Sequence, residues 1–249
     1  MCKMSMHAAP HALDLPPGFQ AVPLREFRDA FGHAQAIAAD SGAGTLVWVC
    51  RFDSIEAAVV LEPEQPLVEA RGALYAGMNA AADALALHCP PEKPLVFGWP
   101  DTIILDGGII GGCRLAVAPG SIETEAPDWL VLGLHVRSIV EMTADTNFKR
   151  GTSLASEGFE MMDGNRIIEG FARHLMAAFD GWNAKGFGSV ADRYLARLQK
   201  SAGVRHRIDK NGDLIEQRAH GLKDTARRPL TAALATPQWL DPATGDPWL

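Results

Sequence analysis

The sequence predicts an α+β fold, in which a mixed or antiparallel sheet is layered with helices and followed by a small β-rich domain. Three observations predict it. Several short apolar runs are joined by connections too short for the crossover that parallel strands need. Segments with apolar residues at three- to four-residue spacing stand before and after these runs. From residue 203 onward, short apolar pairs flank a polar turn, which indicates a separate hairpin.

Each element follows from its own pattern. Helical spacing predicts a helix over 24–39. Asp106-Gly107-Gly108 predicts a tight hairpin turn between two strands. Ser189, with Asp192 three residues later, indicates the start of the last long helix. The remaining predictions are strands at 45–50, 57–61, 95–97, 102–105, 109–117 and 129–136, helices lined by 74–85 and 168–182, a mobile polar loop at 141–157, and a hairpin at 208–215.

Three segments follow from these elements. Residues 1–19 are predicted to form a mobile N-terminal leader, since they lack the continuous apolar core of a signal peptide or a membrane span. Residues 20–202 form the main domain, and residues 203–249 the small β-rich domain. No internal repeat is visible.

Composition narrows the classes of function. The 249 residues are 47% apolar and 21% charged, and the formal net charge is −7. An acidic chain lacks the cationic surface that a nucleic-acid backbone requires. The four cysteines stand apart, without a Cys-x-x-Cys pair, which argues for a reducing compartment and against a structural zinc site. We therefore expect a cytoplasmic protein with no metal site and neither nucleic acid nor membrane as a partner.

The stretch at 97–117, FGWPDTIILDGGIIGGCRLAV, predicts a ligand pocket. Pro100 fixes its own backbone and favours an extended conformation for Trp99, which makes a rigid corner with a broad apolar wall. Gly111 and Gly112 carry no Cβ atoms, so a ligand can lie against the strand backbone. The alternative is a core tryptophan beside glycines that mark a β-bulge.

The same stretch resembles the signature of the biotin/lipoate–protein ligases, in which Trp-Pro-Asn-Asp is followed by a strand, a turn and Lys-(Leu/Val)-Ala-Gly. Residues 41–48 fall where biotin ligases carry a Gly-Arg-Gly-Arg-x-Gly-x-x-Trp loop. Residues 132–137 fall where they carry a Gly-x-Gly-x-Asn strand. The resemblance spans residues 20–200 and implies a sheet like that of the class II synthetases.

The resemblance also implies a chemistry and a site. Such ligases use ATP and Mg²⁺ to join biotin, lipoate or octanoate to AMP, and then pass the acyl group to a lysine of a biotinyl or lipoyl acceptor domain. Ligand-binding positions carried over in this way are Gly44, Thr45, Trp99, Pro100, Asp101, Gly111, Gly112, Gly133 and Arg137.

Departures from the pattern mark a divergent branch that lacks the catalytic lysine. Ile109 stands in the lysine position, and the loop at 42–47 has no arginine. Asp101 replaces an asparagine and adds negative charge near the expected phosphate. Loss of one transition-state donor typically costs about 10²–10³ in rate, so these changes argue against the usual adenylation mechanism. In an unbroken strand Arg114 points away from the Ile109 side, unless Gly111 and Gly112 form a bulge.

Two other functions stay open. One is a noncatalytic small-molecule binding protein on the ligase fold. The other is an ATP-independent acyltransferase with Cys113 as the nucleophile and His135 as its base, although a buried cysteine is commonly inert packing. Strand alternation places Gly133, His135 and Arg137 on one face, where the Arg137 guanidinium can pair with a carboxylate or phosphate. Cys113, His135 and Arg137 are therefore the candidate catalytic residues.

Overall fold

The computed structural model describes residues 12–25, 28–140, 150–160, 164–218 and 225–248. A seven-stranded mixed sheet has the order β1-β2-β3-β7-β6-β5-β4, in which only β1 and β2 are parallel neighbours. Its strands are β1 (Gln20–Leu24), β2 (Thr45–Cys50), β3 (Ser54–Leu61), β4 (Leu95–Gly98), β5 (Thr102–Leu105), β6 (Gly108–Val117) and β7 (Leu130–Arg137). The predicted fold class is confirmed.

Helices cover both faces of this sheet. Their bounds are α1 (Ala30–Ser41), α2 (Leu67–Ala70), α3 (Ala73–Ala86), α4 (Gly164–Lys185), α5 (Phe187–Arg197) and α6 (Leu230–Leu234). Alternation along β2 divides the core, since Leu46 and Trp48 pack with α3 and α4, whereas Val47 and Val49 pack with α1. The two faces are called the helix face and the α1 face below. None of the described helices is long and apolar enough to cross a membrane.

Two predicted helix starts were wrong. The first helix begins at Ala30 because the Asp29 carboxylate caps it, accepting a hydrogen bond of 2.9 Å from the Phe31 amide, while the chain before it forms strand β1. The last long helix begins at Phe187, after Gly186, and Ser189 lies inside its first turn. The Ser189 hydroxyl donates to the Gly186 carbonyl instead of capping the helix. Of the predicted loop at 141–157, residues 141–149 lie outside the described part.

Strand β6 contains a bulge that changes which side chains share a face. Ile103 pairs with Gly111 and Ile104 with Ile109, so Ile110 is an extra residue. Gly111 has a φ of 151°, and a Cβ there would lie 2.0 Å from the His135 carbonyl oxygen. The extra residue shifts the two-residue alternation, so the side chains on its two sides no longer alternate in one continuous pattern.

Because of the bulge, Ile110 and Cys113 both belong to the core on the helix face. Ile109 lies opposite Ile104 and Gly112 opposite Thr102, on the α1 face. Arg114 also reaches that face, where its guanidinium carbon lies 4.2 Å from the Phe31 ring centre. The Ile109 and Arg114 side chains therefore share a face, as the sequence predicted for the case of a bulge.

A second, antiparallel sheet follows α5, with the order β10-β9-β8. Its strands are β8 (Val204–Ile208), β9 (Leu214–Arg218) and β10 (Thr225–Arg228), so the predicted hairpin gains a third strand. After α6, the segment 236–248 returns over the α1 face of the main sheet, where Trp239 is fully buried beside Gly112. At the other end of the chain, Leu13 and Leu15 pack against the helix-face core.

Candidate functional site

A cleft of about 460 Å³ opens on the α1 face, in front of the N-terminal end of α1. This volume falls within the range of small-molecule sites. Its walls come from the residues before α1, the β2–β3 connection, strands β3, β6 and β7, and the C-terminal segment. The lining residues are Arg28, Asp29, Arg51, Phe52, Asp53, Glu56, Arg114, His135, Thr244, Gly245 and Asp246.

Two guanidinium groups are anchored in this cleft by carboxylates. Arg51 donates from Nε and Nη2 to the two Asp53 carboxylate oxygens, both at 2.9 Å, and from Nη1 to Glu56 at 3.1 Å. The Asp53 carboxylate accordingly raises the pKa of Arg51. Arg114 donates from Nη2 to Asp29 at 3.2 Å, and burial lowers its pKa. The cleft therefore has cations, although the family lysine and the loop arginines are missing.

Glu56 and His135 form a buried polar pair at the floor of the cleft. The His135 Nε2 atom lies 3.6 Å from a Glu56 carboxylate oxygen. Burial raises the pKa of Glu56. Burial lowers the pKa of His135 to about 3, and the positive charges of Arg114 and Arg51 act in the same direction. The imidazole is consequently neutral at neutral pH, and the contact is not an ion pair.

The space beside Gly112 is filled by the chain itself. A Cβ at Gly112 would lie 2.6 Å from Nε1 and 2.7 Å from Cε2 of the fully buried Trp239. The Trp239 and His135 rings meet edge to face, with centres 6.2 Å apart. A Cβ at Gly112 would also lie 2.1 Å from the Asp101 carbonyl oxygen, so backbone and the Trp239 ring occupy the space where the sequence predicted a ligand.

Trp99 faces a different environment. Its indole Nε1 donates to the Tyr75 hydroxyl at 3.0 Å, and the Arg228 guanidinium carbon lies 4.7 Å from the ring centre. Pro100 follows through a cis peptide bond, and its carbonyl accepts a hydrogen bond from Tyr194 at 3.0 Å. The surface pocket lined by Trp99 and Pro100 does not include Gly112, and the space beside Gly112 is filled by Trp239, so the expected arrangement of the pocket was wrong.

Asp101 is fully buried between these two regions. Its Oδ2 atom has no hydrogen-bond partner among the described residues. Burial raises the pKa of Asp101 to about 7. The Thr102 hydroxyl and the Trp239 indole N–H act in the opposite direction and lower this pKa, although the indole N–H does not reach hydrogen-bond geometry. The carboxyl is therefore partly protonated near neutral pH, and its predicted negative charge near a phosphate is correspondingly reduced.

Gly44 and Thr45 lie at the opposite end of β2 from the cleft. The Gly44 amide donates to the Val60 carbonyl at 2.9 Å, and a Cβ there would lie 2.0 Å from the Gly18 carbonyl oxygen. A strand of this length spans roughly 17–20 Å. The glycine-rich turn is thus remote from Arg51, and the connection that lines the cleft is the one at 51–53.

The proposed Cys113–His135 pair is contradicted by the sheet register. Gly112 pairs with His135, and Cys113 pairs with Leu134, so the two candidate side chains leave their strands on opposite faces. Cys113 is fully buried in the helix-face core, and burial raises the pKa of its thiol well above the ordinary value. His135 cannot act as its base in this arrangement, and a thiolate is disfavoured.

Gly133 and Arg137 share the face of His135, as predicted, but have separate surroundings. A Cβ at Gly133 would lie 2.5 Å from the Phe31 ring, so this glycine lets α1 pack closely. The Arg137 guanidinium donates to the Pro247 carbonyl, and burial lowers its pKa. Arg137 therefore holds the C-terminal segment and stands beside the cleft lining.

The sequence interpretation missed Arg28, Arg51 and Asp246, and for an unbroken strand it turned Arg114 away from the Ile109 side. Arg51 had a usable signal, since it directly follows the buried strand at 45–50. Asp246 had none, because its place depends on the return of the C-terminal segment. Within the described ranges, no group of three His, Cys, Asp or Glu side chains could hold a metal ion.

Comparisons with known proteins agree with this architecture. Residues 15–196 match the model of the biotin/lipoate A/B protein ligase family. A biotin–[acetyl-CoA-carboxylase] ligase of Paracoccus denitrificans is 25% identical over an alignment of length 222, and the match covers 82% of this chain and 88% of that protein.

Two solved structures share the fold. A biotin protein ligase-like protein of unknown function from Silicibacter sp. TM1040 is 23% identical, with a TM-score of 0.78 over 90% of this chain and 100% of that chain. The Aquifex aeolicus biotin protein ligase in complex with biotin and ATP is 11% identical, with a TM-score of 0.61 over 84% and 98% of the chains. Since the family match covers more than half of the sequence, the chain belongs to the biotin/lipoate A/B protein ligase family.

Proposed function

We propose that this protein binds a carboxylic acid of the biotin, lipoyl or octanoyl type and joins it to AMP, with Arg51 and Arg114 supplying positive charge. The observation that carries the proposal is the convergence of these two guanidinium groups on a cleft of ligand size. The Paracoccus denitrificans relative, a biotin ligase, and the Aquifex aeolicus ligase with biotin and ATP support the choice of reactants.

The adenylation step requires positive charge beside the α-phosphoryl group of ATP. An oxygen of the acid attacks the α-phosphorus of ATP, a new P–O bond forms, and pyrophosphate leaves with its electron pair. Negative charge spreads over the phosphoryl oxygens in the transition state, so fixed donors there lower the barrier. A guanidinium presents a planar fork that matches phosphate oxygens.

The arginines keep donors for a ligand despite their carboxylate partners. Arg51 makes three hydrogen bonds, to Asp53 and Glu56, from a group with five N–H donors. Neutral His135 can exchange hydrogen bonds with the ligand without adding charge. Mg²⁺ typically binds one or two carboxylates together with substrate phosphates, and Asp53 and Asp246 line the cleft.

The second half of the proposed reaction passes the acyl group to an acceptor domain. The lysine amine of a biotinyl or lipoyl domain attacks the acyl carbon, an amide bond forms, and AMP leaves. We place this reaction in the cytoplasm, because the scattered cysteines argue for a reducing compartment. Acceptor transfer is measurable as a mass increase of an added acceptor domain.

Pyrophosphate exchange tests the adenylation step directly. Purified protein is given ATP, Mg²⁺, labelled pyrophosphate and either biotin, lipoate or octanoate. We expect exchange with at least one acid, and a loss of about 10²-fold in Arg114→Ala. Arg193→Ala is the matched control, since Arg193 pairs with Asp83 on the helix face, away from the cleft. A flat trace with every acid contradicts the proposal.

A noncatalytic binding protein is the second candidate. It is favoured by Ile109 in the lysine position and by the Trp239 indole against Gly112. In that case an acid raises the melting temperature of the protein without pyrophosphate exchange. Thermal shift and exchange measured on the same sample separate the two functions.

A further inference from the structure

We propose that Trp239 determines which ligands this site accepts, because its indole fills the subsite beside Gly112 and competes with the ring of an incoming ligand. The inference rests on the proposed function, since it concerns the inner part of the same site. It assigns a role to Trp239, a residue of the C-terminal segment that the proposed adenylation step does not use.

The Trp239 indole lies next to the cleft, in the path of a ligand that extends from it toward Gly112. A Cβ at Gly112 would lie 2.6 Å from the Trp239 ring, so ring and strand backbone are in contact. His135 lines the cleft on one side and meets the Trp239 ring on the other. A ligand that occupies the cleft and extends toward Gly112 therefore reaches the space that the indole holds.

Two buried polar atoms in this region lack hydrogen-bond partners within the described chain. They are the Nε1 donor of Trp239 and the Oδ2 acceptor of the nearby Asp101. Buried unpaired polar groups weaken a packing arrangement. A ligand that carries its own N–H donor toward Asp101 can remove one of these two defects when the indole leaves.

The C-terminal segment is a loop closed by its own backbone hydrogen bonds. The Trp248 amide donates to the Trp239 carbonyl at 3.0 Å, and Leu240 bridges to Pro247, so the segment closes on itself. Its tip at 242–245 is exposed. Arg137, which donates to Pro247, anchors the return to β7.

Ring-bearing and linear acids should respond differently to removal of the indole. Biotin has a carboxylate and a ring system with N–H donors, whereas octanoate has a carboxylate and a flexible chain. Trp239→Ala opens the space beside Gly112, so biotin no longer has to displace a ring. Octanoate can bend within the cleft and gains less.

Isothermal titration of biotin and of octanoate tests this on the full-length protein. We expect Trp239→Ala to bind biotin at least about tenfold more tightly than the wild type, with Trp239→Phe in between and a smaller gain for octanoate. Trp182→Ala is the control, because Trp182 packs between Phe179 and Phe187 on the helix face and should leave affinity unchanged. In the wild type, saturating biotin should speed hydrogen exchange in segment 236–248.

The outcomes separate this inference from the proposed function. Equal biotin affinity in wild type and Trp239→Ala overturns the role of Trp239 and leaves the proposed function standing. Binding by Trp239→Ala and Trp239→Phe alone supports the role of Trp239 and contradicts ligand binding by the native chain. Absence of binding in all folded variants, or unchanged exchange in segment 236–248 when the wild type binds biotin, overturns the inference.

Discussion

The two faces of strands β6 and β7 carry different kinds of residue within one register. On the helix face, Cys113 and Leu134 are paired and buried in an apolar core. One position away, Gly112 and His135 are also paired, and they border the Trp239 indole and the polar cleft. The same backbone thus supports stability on one side and a candidate site on the other, so substitutions one residue apart should have separable effects.

The largest expected effect is on the helix face. Leu134→Ala leaves a cavity in the apolar core and should lower the free energy of unfolding by about 2–5 kcal/mol. Chemical denaturation measures it. A loss below about 1 kcal/mol would show that this face is not the main source of stability.

His135→Gln should make the stability of the protein less sensitive to acid, which tests the polar face of the sheet. Burial holds the pKa of His135 at about 3 in the folded protein, below the ordinary 6.5, so the unfolded chain binds more protons between these values. The contribution of the neutral His135 imidazole to the free energy of unfolding is fully present above pH 6.5 and is lost as the pH drops toward 3. From pH 7 to 4.5 the wild type should lose roughly 2–3 kcal/mol more than His135→Gln, measured by urea unfolding. Parallel pH profiles would contradict the neutral, buried imidazole.

Asp101→Asn should show the opposite pH dependence. Burial raises the pKa of Asp101 from 3.8 to about 7, so the folded protein binds the extra proton and its stability falls as the pH rises through this interval. Between pH 6 and 8 the wild type should lose roughly 1–2 kcal/mol relative to Asp101→Asn. The difference between the two melting curves at several pH values measures this, and a constant difference would refute it.

Arg114→Ala should have the smallest effect on stability. Its partner Asp29 is exposed, and such pairs contribute about 0–1 kcal/mol. The same variant should nevertheless lose pyrophosphate exchange, so the denaturation midpoint and the exchange rate must separate. A stability loss as large as that of Leu134→Ala would make Arg114 a structural residue.

Local patterns accounted for most of the fold. The apolar run at 45–50 and the Asp106-Gly107-Gly108 turn were placed correctly, because burial and turn geometry depend on a few neighbouring residues. The first helix was started too early, since its preceding residues have apolar character but pair with β2. Which helix faces which side of the sheet required the structure.

The site depended on contacts that the sequence does not display. Trp239 reaches Gly112 from the far end of the chain, and nothing near either residue indicates that contact. The bulge at Ile110 breaks the two-residue period from which the orientation of Arg114 was judged. The glycine-rich turn at 41–44 resembled the family loop in composition, whereas the cleft uses the connection at 51–53.

Asp29 connects two parts of the molecule that are usually considered apart. The same carboxylate oxygen that accepts the first amide hydrogen bond of α1 also holds the Arg114 guanidinium. An anion that binds Arg114 in place of Asp29 would leave the Asp29 carboxylate to cap the helix alone, and its charge would then face the helix dipole without a competing cation. We therefore expect occupancy of the cleft to change the amide chemical shifts of the first turn of α1.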